Sequence, residues 1–194
     1  MSEDKKFIEV ETKYEGDNID RHKFKDLIRS LNPKSFLYVE GRDIYYVKEA
    51  DDFLRYRMAV EHISDPRSEL TFKKKSVDKN NNVRTEVNLR IDLNSPELVA
   101  AFCEGLGYKR NFSVFKMCDI YFFDDANVVY YTVIDDFNKA ASFLEIEASE
   151  DIGLTEEQAW EVVQKYEKLL APIGITAQKR KRLSLFEIYR RDAT

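Results

Sequence analysis

Phe7-Ile8-Glu9-Val10-Glu11-Thr12-Lys13-Tyr14 is the stretch on which the reading of this chain turns. Its residues alternate. Ile8, Val10 and Tyr14 fall on one side of an extended segment, while Glu9, Glu11 and Lys13 fall on the other. That period of two predicts a strand with one apolar face and one fully charged face.

The same division recurs downstream. Leu54, Tyr56 and Met58 oppose Arg55 and Arg57, and Leu70 and Phe72 oppose Lys73 and Lys75. Val83, Val87 and Leu89 oppose Arg84, Glu86 and Asn88, and Leu144 and Ile146 oppose Glu145 and Glu147. Lys116 and Asp135 join the charged set from two further strands. Patterning and β-branched or aromatic content predict strands at residues 7–14, 36–48, 53–60, 68–76, 83–92, 112–123, 127–136 and 142–149. Asp- and Asn-rich turns at 78–82 and 124–127 punctuate them.

Three segments read as helices. Residues 20–31 carry Phe24, Leu27, Ile28 and Leu31 on one face. Residues 96–106 follow Ser95-Pro96 and stop at Gly107. Residues 156–171 open on a capping box, Thr155-Glu156-Glu157-Gln158, and end before Pro172. A basic run, Lys179-Arg180-Lys181-Arg182, precedes a last amphipathic segment at 183–189. Eight strands with few helices predict an α+β protein: a single domain over 1–194, built as an eight-stranded antiparallel closed β-barrel with helices packed outside.

A sheet with one solvated face gives the same alternation strand by strand. Taken together, the strands favour an interior location for the charges, since the amphipathic helices are available to cover the apolar faces. A closed sheet would then enclose Lys13, Arg55, Arg57, Lys73, Lys75, Arg84 and Lys116 with Glu9, Glu11, Glu86, Asp135, Glu145 and Glu147. Left dry and unpaired, such charges would cost on the order of several kcal/mol per ion. A triphosphate with divalent metals meets both halves of the set: cations neutralise phosphate oxygens, and carboxylates hold the bridging metal.

Composition narrows the chemistry. The 194 residues are 43% hydrophobic and 35% charged, with a formal net charge of −5. Binding to nucleic acid or an anionic membrane is therefore not advertised by the molecule as a whole. No apolar run is long enough to span a bilayer, and the polar start lacks a signal-peptide core. Both features, with two cysteines that form no CxxC pair, lead to the expectation of a cytoplasmic protein. With only His22 and His62, zinc sites and histidine-dependent nucleophilic catalysis are set aside. Carboxylate ligands suit Mg²⁺ or Mn²⁺.

Glu9-Val10-Glu11-Thr12-Lys13 is an ExExK motif, and it resembles the signature of the CYTH superfamily, the triphosphate tunnel metalloenzymes. The resemblance continues in order through Asp43-Ile44-Tyr45-Tyr46, Leu54-Arg55-Tyr56-Arg57, Leu70-Thr71-Phe72-Lys73 and Arg84-Thr85-Glu86. It closes with Asp135 and Phe143-Leu144-Glu145-Ile146-Glu147. It is strongest toward the bacterial class IV adenylate cyclase-like branch, through Leu106-Gly107-Tyr108, Ile120-Tyr121-Phe122 and 183–187.

The resemblance implies a tunnel in which Lys13, Arg55, Arg57, Lys73, Lys75, Arg84 and Lys116 bind the triphosphate. It implies metal ligation by Glu9, Glu11, Asp135 and Glu145, with Glu86 and Glu147 as further ligands. Catalysis is expected of Glu9, Glu11, Asp135 and Lys13. The expected partner is a nucleotide or inorganic triphosphate. No membrane is expected, nor nucleic acid beyond an RNA 5′ end that residues 179–182 could contact, and the chain is expected to be a monomer or homodimer. Departures concern substrate choice: Asn88 replaces an acid, Cys118 replaces a second basic residue, and Asn138-Lys139-Ala140-Ala141-Ser142 replaces a Gly-rich turn. Hydrolysis is the leading expectation. Cyclisation of ATP to cyclic AMP and pyrophosphate, a non-catalytic nucleotide- or polyphosphate-binding module, and an RNA 5′-triphosphatase are the alternatives.

Overall fold

The computed structural model describes residues 7–48, 53–61, 67–73, 82–91, 95–149, 152–181 and 183–191; for 7–9, 59–61, 67 and 82–86 it describes the backbone alone. Eight strands appear in the expected order: β1 (Phe7–Glu15), β2 (Ser35–Val47), β3 (Phe53–Glu61), β4 (Arg67–Lys73), β5 (Asn82–Ile91), β6 (Lys109–Phe122), β7 (Ala126–Asp135) and β8 (Ala140–Ala148). Helices α1 (Arg21–Ser30), α2 (Pro96–Gly105), α3 (Glu156–Leu170) and α4 (Leu185–Tyr189) accompany them, with short 3-10 turns at Ala171–Ile173 and Ala177–Lys179. Among the described residues, no helix is long and apolar enough to cross a membrane.

Local chemistry sets the helix boundaries. The Asp20 carboxylate caps α1 by accepting from the backbone N–H groups of His22 and Lys23. Thr155 and Gln158 form the reciprocal capping box of α3, and Ser184 and Glu187 form another at α4. Ser95 precedes Pro96 at the start of α2 but makes no side-chain cap, so proline alone marks that start. Past the end of α2, Gly107 takes φ +85°, which a residue with a Cβ adopts only at a cost.

All pairings are antiparallel, in the order β1-β5-β4-β3-β2-β6-β7-β8. The expectation of a closed barrel needs correction at the seam. The strand order returns on itself through β1, but no continuous ladder joins the edges. Residues 7–11 pair with 82–86 of β5, and residues 11–15 pair with 143–147 of β8. Only Glu11 stands in both registers. The architecture is a curled eight-stranded sheet whose edges are bridged by the two halves of one nine-residue strand. Twist and strand stagger carry the edges of such a sheet out of alignment, so a short strand cannot pair along its whole length with both.

The outer apolar faces are covered in two places. Phe24 and Ile28 of α1, and Ala159, Val163, Tyr166 and Leu170 of α3, pack on Val10 and Tyr14 of β1, on β7 and on β8. Val99 and Cys103 of α2 pack on Ile44 and Tyr46 of β2, Leu54 and Tyr56 of β3, and Leu70 of β4. The outer face of β5 lies between these patches, and Val87 and Leu89 there remain 55% and 61% exposed. A third cluster sits inside the curl. Tyr45, Phe53, Phe112, Val114, Tyr131, Val133 and Phe143 meet Leu185 and Phe186 of α4. Phe186 stacks on Phe53 at 4.3 Å, and Tyr45 on Phe112 at 4.4 Å.

Candidate functional site in the lumen

The concave face of the curled sheet encloses a cavity of about 310 Å³. Alternation puts the charged sides of β1, β3, β4, β6 and β8 toward it, while the apolar sides of β1 and β8 pack under α1 and α3 and those of β3 and β4 under α2. Lys13, Arg55, Arg57, Lys73 and Lys116 line it, together with Glu11, Glu69, Glu145 and Glu147. Ile120, Phe122, Val129 and Asn127 form a less polar stretch of wall, while Ser184, Leu185 and Phe186 close part of the lining from the α4 side.

Two buried ion clusters organise the charges. In the first, Lys13 is 2% exposed, with Nζ 2.9 Å from Glu145 Oε1 and 3.9 Å from Glu11 Oε1. Tyr131 donates its hydroxyl to the same Glu145 oxygen at 2.7 Å. The Lys116 ammonium lies 4.2 Å above the Tyr131 ring and has no carboxylate partner among the described residues. Burial alone would push the Glu145 carboxyl up, but Lys13, Lys116 and the hydrogen bonds outweigh it and hold that carboxyl below its ordinary range. Burial pulls the Lys13 ammonium down, and Glu145 and Glu11 reverse this, leaving it raised. Burial holds the Tyr131 phenol far up, so it acts as a neutral donor.

In the second cluster, Arg57 donates through Nε and Nη2 to the two oxygens of Asp43, both at 2.8 Å. Asp43 is 1% exposed. Its carboxyl is held well below the usual range because Arg57, assisted by Arg55 and Lys116, overcomes the effect of burial. Beside this pair, Arg55 donates to the Thr71 hydroxyl at 3.0 Å and approaches Glu69 at 3.5 Å. Thr71 in turn lies 2.8 Å from Asn88 Oδ1.

Of the residues expected at the site, Glu11, Lys13, Arg55, Arg57, Lys73, Lys116, Glu145 and Glu147 are brought together around the cavity. Asp135 is not among its lining: Oδ1 accepts from the backbone of Phe137 and Lys139 and caps the turn after β7. For Glu9, Arg84 and Glu86 the structure gives strand position only, with Glu9 opposite Arg84 and Glu86 opposite Lys73. Lys75 lies outside the described residues. Cys118 faces the cavity, and burial raises its thiol, so it adds no charge where a basic group was expected.

Sequence reasoning missed Asp43 and Glu69 as site groups, together with Thr71, Tyr131 and the α4 residues. For Asp43 a signal was present in the Asp43-Ile44-Tyr45-Tyr46 motif, where it shares one strand face with Tyr45. Tyr131 had no such signal, because a buried tyrosine in a strand usually serves the core.

Three residues of the basic run make contacts within the fold. Arg180 pairs with the buried Glu167, which also accepts from Tyr14. Lys179 donates to the Gly174 carbonyl at 2.9 Å, and Lys181 pairs with Glu15. Arg182 lies outside the described residues. The Lys181 N–H also donates to the Lys13 carbonyl at 2.6 Å, tying the C-terminal segment to β1.

Among the described residues, no three carboxylate, histidine or cysteine side chains gather as a protein-only metal cage. Glu11 and Glu145 flank one position, with Glu147 opposite Glu11 in the β1–β8 ladder. These hard oxygen donors fit Mg²⁺ or Mn²⁺ held partly by substrate oxygens and water, the common arrangement for Mg²⁺ on phosphate substrates.

No protein-family model matches the chain, and no curated protein matches it. Solved structures do. A conserved hypothetical protein from Pyrococcus furiosus superposes with a TM-score of 0.72 at 22% identity, covering 92% of this chain and 98% of that one. A proposed adenylate cyclase from Vibrio parahaemolyticus gives 0.69 at 16% identity, over 94% and 97%. A chain of the Schizosaccharomyces pombe Mediator head module gives 0.62 at 13% identity, over 85% and 95%. At these identities the likeness is one of fold. It bears out, at that level, the resemblance carried by the motifs.

Proposed function

We propose that the chain is a CYTH-type triphosphate tunnel enzyme that hydrolyses a nucleoside triphosphate or inorganic tripolyphosphate with Mg²⁺ or Mn²⁺. The observation that carries this reading is the lumen itself: five basic and four acidic side chains, contributed by five strands, around one cavity of about 310 Å³. A metabolite with one or two carboxylates would not call for so many basic groups around one cavity.

In this reading Lys116, Lys73 and Arg55 hold phosphate oxygens, while Arg57 is committed to Asp43 and fixes the β2–β3 wall. Glu11, Glu145 and Glu147 are the proposed metal donors, with Glu9 and Glu86 as neighbouring candidates; Asp135 is left out because it caps a turn. A divalent cation there supplies charge neutralisation and an activated water. The water oxygen bonds to the terminal phosphorus, and the bridging P–O bond breaks with its electron pair leaving on the diphosphate. The water's proton passes to solvent or to a lumen carboxylate not engaged by the cation. The fixed cations offset charge in the transition state without reorganising.

Cyclisation is the second reading. The apolar wall of Ile120, Phe122 and Val129 beside the Asn127 amide is the feature that favours it, since a nucleobase could lie there. The Vibrio protein is a proposed adenylate cyclase of the same fold, whereas the Mediator chain belongs to an assembly, so fold alone does not choose.

Incubation with Mn²⁺ and, separately, tripolyphosphate, ATP and 5′-triphosphate RNA, followed by product separation, tests the reading. Orthophosphate release is the expected result. Cyclic nucleotide with pyrophosphate would instead select the second reading, and tight binding without turnover would make the chain a binding module. Glu11→Gln and Glu145→Gln should each lower turnover by about a hundredfold or more, the scale of a lost catalytic group.

A further inference from the structure

The ammonium of Lys13 occupies the place a cation would take. It is held 2.9 Å from Glu145 and 3.9 Å from Glu11, and its side chain is 2% exposed. Its backbone is pinned on the other side by the N–H of Lys181. A metal ion arriving alone would meet carboxylates already neutralised, or would have to displace a buried ammonium that has no other described carboxylate in contact.

We propose that Lys13 is a placeholder cation, so that divalent metal and triphosphate enter the lumen as one unit rather than independently. The proposal rests on the reading of the lumen as a metal–triphosphate site and adds an order to it. A triphosphate supplies the negative charge that draws the Lys13 ammonium off Glu145 along its flexible four-carbon stem. The freed oxygens of Glu145 and Glu11 would then be available to hold a divalent cation brought in with the phosphate. Tyr131 already holds the oxygen of Glu145 that Lys13 uses, and this keeps the carboxylate oriented once Lys13 has turned away. The absence of a gathered three-ligand cage among the described residues points the same way, because carboxylates that do not converge hold Mg²⁺ or Mn²⁺ weakly without substrate oxygens.

The test is Mn²⁺ binding read by the enhancement of water-proton relaxation over that of free Mn²⁺, which is large when the ion sits on a slowly tumbling protein and small for the Mn²⁺–tripolyphosphate complex alone. Wild type, Lys13→Met, Lys13→Gln and the Glu11→Gln/Glu145→Gln double variant are titrated with Mn²⁺, with and without tripolyphosphate. Wild type should bind Mn²⁺ alone no better than the double variant, and tripolyphosphate should tighten its Mn²⁺ affinity by about tenfold or more. Lys13→Met should bind Mn²⁺ without tripolyphosphate at least about tenfold more tightly than wild type. If wild type binds Mn²⁺ alone as tightly as Lys13→Met, the placeholder is refuted while the metal site stands. No relaxation change in any protein, with tripolyphosphate or without, refutes the metal reading beneath it and the proposal with it. Should Lys13→Met fail to fold, Lys13→Gln and the two wild-type titrations give the same decision.

Discussion

Asp43→Asn is the sharpest probe of how the lumen is held. Asp43 is 1% exposed and accepts two hydrogen bonds of 2.8 Å from Arg57, which is 30% exposed on its side chain. The asparagine keeps the shape but removes the charge. It leaves a guanidinium in the lumen beside Arg55 and Lys116, the two other cations that act on Asp43. Breaking a buried pair from one side costs about 3–5 kcal/mol. The Arg57 side chain is open enough to be partly hydrated, so a smaller loss of about 2–3 kcal/mol is expected. In a chain of this size that corresponds to a fall in Tm of roughly 4–12 °C.

The assay is urea unfolding of wild type, Asp43→Asn, Arg57→Met and the double variant. The double variant should recover part of the loss, because replacing both partners is cheaper than orphaning one. The pH dependence has a definite sign. The Asp43 pKa is lowered in the folded state, so its contribution is fully present above the ordinary carboxylate value of about 3.9 and is lost only as pH falls through the lower folded value. The destabilisation caused by Asp43→Asn should therefore be undiminished from pH 7 to pH 5. Strictly additive single variants, or a loss below about 0.5 kcal/mol, would mean that the pair does not hold the β2–β3 wall.

Two further outcomes follow from the C-terminal segment. Phe186→Ala, which removes a 3% exposed ring stacked on Phe53, should cost about 3–5 kcal/mol in denaturant unfolding; an unchanged midpoint would mean that α4 does not close the lumen. Arg180→Ala should destabilise by about 2–3 kcal/mol by leaving Glu167 buried without its cation, whereas Lys179→Ala should cost under about 0.5 kcal/mol. If instead both leave stability unchanged and both weaken binding of 5′-triphosphate RNA, the basic run is an RNA contact rather than a brace.

Much of the site was legible because strand alternation is a one-dimensional rule. Once Val10 and Tyr14 are assigned to one face, Glu11 and Lys13 must share the other, and the same step places Arg55 with Arg57 and Glu145 with Glu147. The rule fails at strand ends. Asp135 has the inward parity of β7, yet as the last residue of its strand its carboxylate is captured by two backbone N–H groups of the following turn. It also says nothing about partners across the sheet. That Arg57 faces Asp43, while Lys116 stands over an aromatic ring, depends on register and curvature.

The sequence by itself determined eight strands, their charged and apolar faces, the helix boundaries and the family the motifs resemble, because each depends on residues within a few positions of one another. Only the tertiary structure decided that the sheet curls to a seam split between the two halves of β1. It also decided that α4 packs an aromatic stack into the lumen and that Arg180 braces a buried glutamate. The same holds for Lys13, whose ammonium lies between Glu11 and Glu145. These are contacts between segments distant in the chain, fixed by twist, register and the electrostatics of burial, and no local pattern encodes them.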